Sequence, residues 1–120
     1  MASSLSPNFT SHLCSVEVCE VLYNIRILKM KDSVFIYVGE NKAENFDELS
    51  MAIPSPNNDI LSTTIMGALV GSGSEELAQK LAKKLKKQVY LSADVPNDRI
   101  VRPMIESRLF EEINNNVECF

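Results

Sequence analysis

The chain has 120 residues and a formal net charge of −4 at pH 7, and 45% of its residues are apolar and 23% are charged. A chain of this length forms one domain, which buries roughly two-thirds of the surface that the unfolded chain exposes. The acidic balance argues against a general nucleic-acid-binding protein, and no apolar run approaches the roughly 20 residues that a membrane-spanning helix needs.

The N-terminal residues and the cysteines bear on the cellular compartment. MASSLSPNFT contains neither a basic segment nor a long apolar one, so we expect no secretory signal and a flexible tail over residues 1–8. Cys14, Cys19 and Cys119 form no CxxC pair, and an odd number of cysteines favours reduced thiols. We therefore expect a protein of the cytoplasm or the nucleus.

Five strands are predicted before the first helix. Irregularly spaced apolar residues over 9–18 indicate the first strand, and alternation over 21–31 indicates the second. The turn Lys31-Asp32 joins the second strand to a third, over 33–39, in a hairpin. The segments FDELSMAIPS and ILSTTIMG supply the fourth and fifth strands, separated by a cluster of proline and asparagine residues.

A helix, a sixth strand and a second helix follow. In ELAQKLAKKLKKQVYLS, helical spacing gives way to strand alternation without a glycine or proline between them. Glutamates begin this helix and lysines end it, as the helix dipole favours. The second helix extends from about Val101 to Asn114, with Pro103 either in its first turn or at a kink. Residues 116–120 are expected to fray as a C-terminal tail.

The predicted fold is a single α+β domain over residues 9–115. The element order βββββαβα indicates a mostly antiparallel six-stranded sheet with two helices on one face. The third strand is nevertheless apolar on both faces, which is typical of a strand buried on both sides. The second face therefore needs a cover, which we expect to be the sheet of a partner protein. The alternative is that Phe9, Leu13 and the loop 40–46 fold over it.

Two groups of side chains are candidates for the partner interface, and periodicity alone does not decide which group meets the helices. The first group is Arg26, Leu28, Phe35 and Tyr37. The second group is Val34, Ile36 and Val38. We favour the first group because tyrosine and arginine are enriched in non-obligate interfaces.

The first predicted helix carries a basic face, which we call the lysine face. It consists of Lys80, Lys83, Lys84 and Lys87. The simpler interpretation is a solvated face that aids solubility. The functional alternative is contact with an acidic protein surface through electrostatic steering.

Residues typical of catalysis are sparse. His12 and Cys14 share one strand face and could touch, but no third group is evident to orient them. Cys14 and Cys19 point to opposite faces of a regular strand, which disfavours a disulfide or a shared metal ion. A thiol-dependent enzyme is therefore only a third interpretation, which loss of Cys14 would test.

The glycines and glutamates have ordinary structural explanations. The glycines of GALVGSGS lack the spacing of a phosphate-binding loop, so we interpret them as turn and capping residues. We expect Glu106, Glu111 and Glu112 on a solvated helix face. The sequence thus predicts no enzyme, no cofactor, no metal ion and no small-molecule substrate.

The segments LSTTIMG, ELAQKLAKKLKKQVYLS and ESRLFEEI follow one another in an order and spacing that resemble the proteasome assembly chaperone 4 family. In that family a Ser/Thr-rich strand ending in Gly precedes a helix with an LAQ-[RK]-LA core, a KQV-aromatic strand and a last helix with an E-x-R-[IL] segment. DSVFIYVG resembles the family's D-S-aromatic/aliphatic strand, which also ends in Gly. The resemblance covers roughly residues 9–115.

This resemblance implies a non-enzymatic chaperone for assembly of the 20S proteasome core particle. Such a protein pairs with proteasome assembly chaperone 3, and the pair holds α-type subunits while the α-ring forms. The implied fold has two helices on one side of an antiparallel sheet and a second side that can stack on a partner sheet. The ending Glu118-Cys119-Phe120 differs from the hydrophobic-Tyr-any ending of some other proteasome chaperones, so we expect no insertion into α-ring pockets.

The runner-up interpretation belongs to a different class of protein. A longin- or roadblock-like scaffold in membrane trafficking also builds dimers from small α+β sheets. That interpretation predicts co-purification with GTPase or coat subunits and without proteasome α-type subunits.

Overall fold

The structure is a computed structural model, which describes residues 10–42, 49–55, 59–66, 74–94 and 100–120. Several predicted features lie wholly or largely outside these ranges. They are the tail 1–8, the loop 40–46, the glycine-rich segment 67–74 and the loop 93–98.

In the described residues, six strands and two helices follow the predicted order βββββαβα. The strands are β1 (Thr10–Val18), β2 (Val21–Lys29), β3 (Ser33–Glu40), β4 (Leu49–Pro54), β5 (Ile60–Met66) and β6 (Gln88–Asp94). The helices are α1 (Ser74–Leu85) and α2 (Val101–Asn115), and a short 3₁₀ turn covers Val117–Cys119. The predicted single α+β domain is confirmed.

The strands form one sheet in the order β1-β2-β3-β6-β4-β5. All neighbours are antiparallel except β3 and β6, so the sheet is mostly antiparallel, as predicted. β5 and β6 lie on either side of β4 and run in the same direction. Parallel strands need a crossover connection, and α1 supplies it across one face of the sheet.

Both helices pack on the same face of the sheet, where the core lies. α1 contacts β4, β5 and β6, whereas α2 contacts β1. The central strand β3 turns Val34, Ile36 and Val38 toward the helices, and all three side chains are fully buried. The structure thus decides the question that periodicity left open, because these three residues belong to the core.

The buried stripes of the two helices agree with the predicted helical spacing. The buried residues of α1 are Leu77, Ala78, Leu81 and Ala82, and the buried residues of α2 are Ile105, Leu109 and Ile113. α2 begins at Val101, so Pro103 lies in the first turn, where its missing N–H costs no intrahelical hydrogen bond. Within the described ranges, no helix is long and apolar enough to cross a membrane.

The passage from α1 into β6 takes only two residues, Lys86 and Lys87. Lys86 has a φ of 58°, in the left-handed region that glycine usually occupies after a helix. Its N–H donates a hydrogen bond to the carbonyl oxygen of Ala82, 2.8 Å away, which closes the last turn of the helix. Lys86 thus occupies the left-handed position after the helix that is usually a glycine.

Replacing Lys86 with glycine is expected to raise the free energy of unfolding by about 1 kcal/mol, because glycine adopts this φ without steric cost. Urea denaturation measures the change. The matched control is Lys83→Gly in the last turn of α1, where the residue is part of the helix, and it should lower the free energy of unfolding by up to about 1 kcal/mol. Equal destabilisation by both glycines would contradict the left-handed conformation of Lys86.

The C-terminal residues 116–120 are folded, so the predicted frayed tail is wrong. Phe120 is 2% exposed and joins the core. Lys29 Nζ donates a hydrogen bond to the Glu118 carbonyl oxygen over 2.8 Å, and Lys87 Nζ donates one to Phe120 O over 2.5 Å. The asparagine run 114–116 does end the helix, but the 3₁₀ turn then directs an aromatic side chain back into the core, where burial offsets the cost of ordering.

Candidate partner interface

The sheet face opposite the helices, which we call the open face, carries exposed leucines. They are Leu13 on β1 (53% exposed), Leu22 and Leu28 on β2 (43% and 37%), and Leu61 on β5 (64%). The strand register places all four on this face, because their immediate neighbours along each strand turn toward the helices. Large apolar side chains grouped on one face mark an interaction surface more often than single exposed ones do.

A shallow groove lies at the β1, β2 and β3 end of the open face. It has a volume of about 290 Å³, and its lining includes Leu13, Arg26, Leu28 and Phe35. Arg26 on β2 is paired with Leu13 on β1 and with Tyr37 on β3, so this arginine lies among apolar side chains. Such a mixture is typical of the buried part of a non-obligate protein interface.

Tyr37 has a different role from its three companions. It is only 6% exposed, and its ring lies over Gly39, where an added Cβ would overlap the tyrosine hydroxyl group. A glycine at position 39 therefore allows the ring to lie flat along β3. Tyr37 therefore packs beneath the surface of the open face and exposes little area that a partner could contact.

The four residues predicted for the partner interface thus lie together on the open face. Arg26 and Leu28 are exposed, Phe35 is half-buried and Tyr37 is buried. Sequence reasoning missed Leu22 and Leu61, and it considered Leu13 only in the alternative in which a segment of this chain folds over this face. Alternation within β1 could have identified Leu13, but its pairing partner on β2 was not readable from the sequence.

The middle of the open face is more polar. Gln88 Nε2 donates hydrogen bonds to the Tyr90 hydroxyl oxygen over 2.6 Å and to Met51 Sδ over 3.3 Å. The donor and the Tyr90 acceptor lie on β6, which is next to β3, and the Met51 acceptor lies on β4. These bonds fix the side chains between the groove and Leu61, so a partner would meet a preformed surface.

The four residues of the lysine face have three different sets of neighbours. Lys80 Nζ lies 3.2 Å from Glu106 Oε1 on α2, in an ion pair of an exposed lysine and a half-buried glutamate. Lys83 lines a cavity with Pro54 and Ile60. Lys84 and Lys87 instead line a cavity beside Lys29 and Phe120. The four lysines therefore do not form one uniform surface.

Burial and the nearby Lys29 lower the pKa of Lys87, while Asp32 acts in the opposite direction. Lys29 and Lys87 lie close together beside the C-terminal turn, where each donates a hydrogen bond to a main-chain oxygen. With Lys84 on the wall of the same cavity, this end of the lysine face brings three lysines together.

His12 and Cys14 lie on the helix-facing side of β1, and the structure adds a third group to them. Glu112 of α2 places Oε1 3.0 Å from His12 Nε2. Glu106 and Glu112 are thus half-buried and paired, which corrects the predicted solvated face, whereas Glu111 is exposed. The strand and the helix meet here because α2 packs against β1.

The chemistry of Cys14 does not favour a catalytic nucleophile. Burial, followed by the charge of Glu112, raises the pKa of the Cys14 thiol from 9.0 to about 11, against a smaller opposite effect of Arg108. Nucleophilic cysteines have lowered pKa values, because the thiolate is the reacting form. The thiol-enzyme interpretation therefore has no support from this site.

Comparison with known proteins gives a consistent answer over most of the chain. The family model of proteasome assembly chaperone 4 matches residues 23–95. The chain is 32% identical over 111 residues to proteasome assembly chaperone 4 of Homo sapiens, covering 91% of this chain and 89% of that protein. It is 31% identical over 111 residues, with the same coverage, to proteasome assembly chaperone 4 of Mus musculus.

A solved structure agrees with the fold. A chain in the crystal structure of a chaperone complex for yeast 20S proteasome assembly superposes with a TM-score of 0.62 over 93% of this chain and 94% of that chain. At 9% identity this likeness concerns the fold alone. The family match, by contrast, spans more than half of the sequence and confirms the resemblance seen in its motifs. This chain belongs to the proteasome assembly chaperone 4 family.

Proposed function

We propose that this protein is a non-enzymatic chaperone for assembly of the 20S proteasome core particle. In this proposal it forms a heterodimer with proteasome assembly chaperone 3, and the heterodimer promotes formation of the α-ring by holding α-type subunits. One observation carries the proposal: in the part of the chain that the structure describes, a member of this family has a sheet face that neither helix covers, with four exposed leucines on it. The family match also favours this function over a trafficking scaffold.

The open face suits a second sheet as its cover. Two sheets that stack face to face lie about 10 Å apart, and their side chains interdigitate. Burying the exposed part of each leucine contributes about 1–2 kcal/mol, at roughly 25 cal/mol per Å² of apolar surface. A specific interface needs about 800 Å² on each partner, and a six-stranded face is large enough to supply that area.

The helix side of the molecule remains accessible when the open face is covered. We propose that the lysine face makes the second contact, with an acidic surface of an α-type subunit. The cavity beside Lys84 and Lys87 also has Lys29 on its wall, which supports this side as the place for an acidic group. Such charges speed association more than they tighten it, and salt screens them. We further propose that this activity belongs to the cytoplasm or the nucleus.

Light scattering coupled to size-exclusion chromatography tests the heterodimer. We expect the chain mixed with proteasome assembly chaperone 3 to elute as one 1:1 species that then retains α-type subunits. Two separate peaks at micromolar concentration would overturn the proposed pairing. A 1:1 species that retains no α-type subunit would overturn the chaperone function and keep the pairing.

A further inference from the structure

A group of three potential metal ligands lies between β1 and α2, on the helix-facing side of the sheet. The ligand atoms of His12, Cys14 and Glu112 all lie within 4.8 Å of one another, and all three side chains are half-buried. His12 Nε2 and Glu112 Oε1 are 3.0 Å apart. We propose that these three residues form a zinc-binding site that joins β1 to α2.

The donor atoms select the metal ion. Zinc binds imidazole nitrogen, thiolate sulfur and carboxylate oxygen together, whereas magnesium and calcium take oxygen ligands almost alone. Bond lengths of about 2.0–2.3 Å in a tetrahedral site place ligand atoms roughly 3.3–3.8 Å apart, so small rotations of side chains complete the geometry. Half-burial leaves the fourth position to a water molecule. Coordination deprotonates the Cys14 thiol, and its proton passes to solvent.

The backbone brings the ligands together from two rigid elements. His12 and Cys14 are two residues apart on one strand, so their side chains share a face. Glu112 lies on the last turns of α2, which packs against that strand. A sheet and a helix hold ligand atoms more firmly than a loop does.

A further residue orients the carboxylate. Asn116 Nδ2 donates a hydrogen bond to Glu112 Oε1 over 2.9 Å. Carboxylates that bind metal ions are commonly held by such outer hydrogen bonds. Arg108, one turn before Glu112, is the nearby cation, but it is exposed, so water screens its charge. In the metal-free protein the His12–Glu112 contact holds the same strand and helix together.

The site would strengthen the edge of the sheet that carries Leu13. β1 lies at one edge of the six-stranded sheet beside β2, and α2 packs against it. A zinc ion bound to both elements would resist separation of β1 from the sheet. Because the ligands lie on the side opposite the open face, the site stays accessible in a heterodimer, and its test is independent of the proposed function.

Cobalt(II) titration of the full chain, reduced and freed of metal ions by a chelator, tests the site. We expect one cobalt ion per chain, a sulfur-to-cobalt charge-transfer band and visible bands of tetrahedral intensity, all displaced by one equivalent of zinc. Zinc should also raise the unfolding temperature by several degrees, since it binds the folded chain preferentially. No charge-transfer band and no zinc-dependent shift would overturn the proposal.

Matched variants identify the ligands. Cys14→Ser should abolish the charge-transfer band, whereas Cys19→Ser and Cys119→Ser should retain it. Glu112→Gln keeps the size of the side chain and should weaken zinc binding at least tenfold, while the exposed neighbour Glu111→Gln should not. Asn116→Ala should weaken binding about tenfold through the orientation of Glu112. A band that survives Cys14→Ser, or an unchanged affinity in Glu112→Gln, would overturn the site.

Discussion

Replacing Leu28 with aspartate is expected to weaken binding to proteasome assembly chaperone 3 at least 100-fold, which corresponds to about 2.7 kcal/mol. The reason is that a partner sheet on the open face would remove the new carboxylate from water beside Leu13 and Phe35. Arg26 in the same groove would offset only part of that desolvation cost. In the unbound chain Leu28 is 37% exposed, so the carboxylate reaches water and the loss of stability should stay near 1 kcal/mol. Isothermal titration calorimetry measures the affinity, and circular dichroism verifies the fold.

The control for this experiment introduces the same charge on the other side of the molecule. Met104 lies in the first turn of α2 and is 45% exposed, so its exposure resembles that of Leu28. Met104→Asp should bind proteasome assembly chaperone 3 with unchanged affinity, since the helix layer faces away from the proposed interface. If both variants lost affinity equally, or if neither did, the open face would not be the interface.

Replacing Phe120 with alanine is expected to lower the free energy of unfolding by about 3–5 kcal/mol, the usual cost of truncating a buried phenylalanine. The side chain is 2% exposed and packs in the core between the end of α2 and the sheet. A loss of this size is a large part of the 5–15 kcal/mol that stabilises a typical domain. Thermal unfolding should show a decrease of roughly 10 °C or more.

The matched control lies in the 3₁₀ turn that precedes Phe120. Val117 is 63% exposed, and Val117→Ala should change the free energy of unfolding by less than about 0.5 kcal/mol. A small effect of both substitutions would mean that the C-terminal turn is detached in solution. A large effect of Phe120→Ala alone would establish the turn as part of the core, contrary to what the sequence suggested.

The sequence by itself determined the secondary structure and the class of fold. Alternation and helical spacing are local signals, so the strands, the stripes of both helices and the order βββββαβα could be predicted without tertiary information. The two-sided apolar character of β3 also indicated an uncovered face. Strand alternation was sufficient to group Arg26, Leu28, Phe35 and Tyr37, because every second residue of a strand lies on the same face.

Only the tertiary structure decided which sheet face is open and which residues distant in the sequence lie on it. Burial beneath the helices depends on the direction in which α1 crosses the sheet, and no local pattern encodes that direction. Leu61 lies on the same sheet face as Leu13 and Leu28 because strand pairing places β5, β1 and β2 in one sheet, although these residues are distant in the sequence. Glu112 reaches His12 across 100 positions, and Phe120 returns to the core after an apparent stop at the asparagine run. These contacts are non-local, so they follow from packing and not from the residues on either side of them.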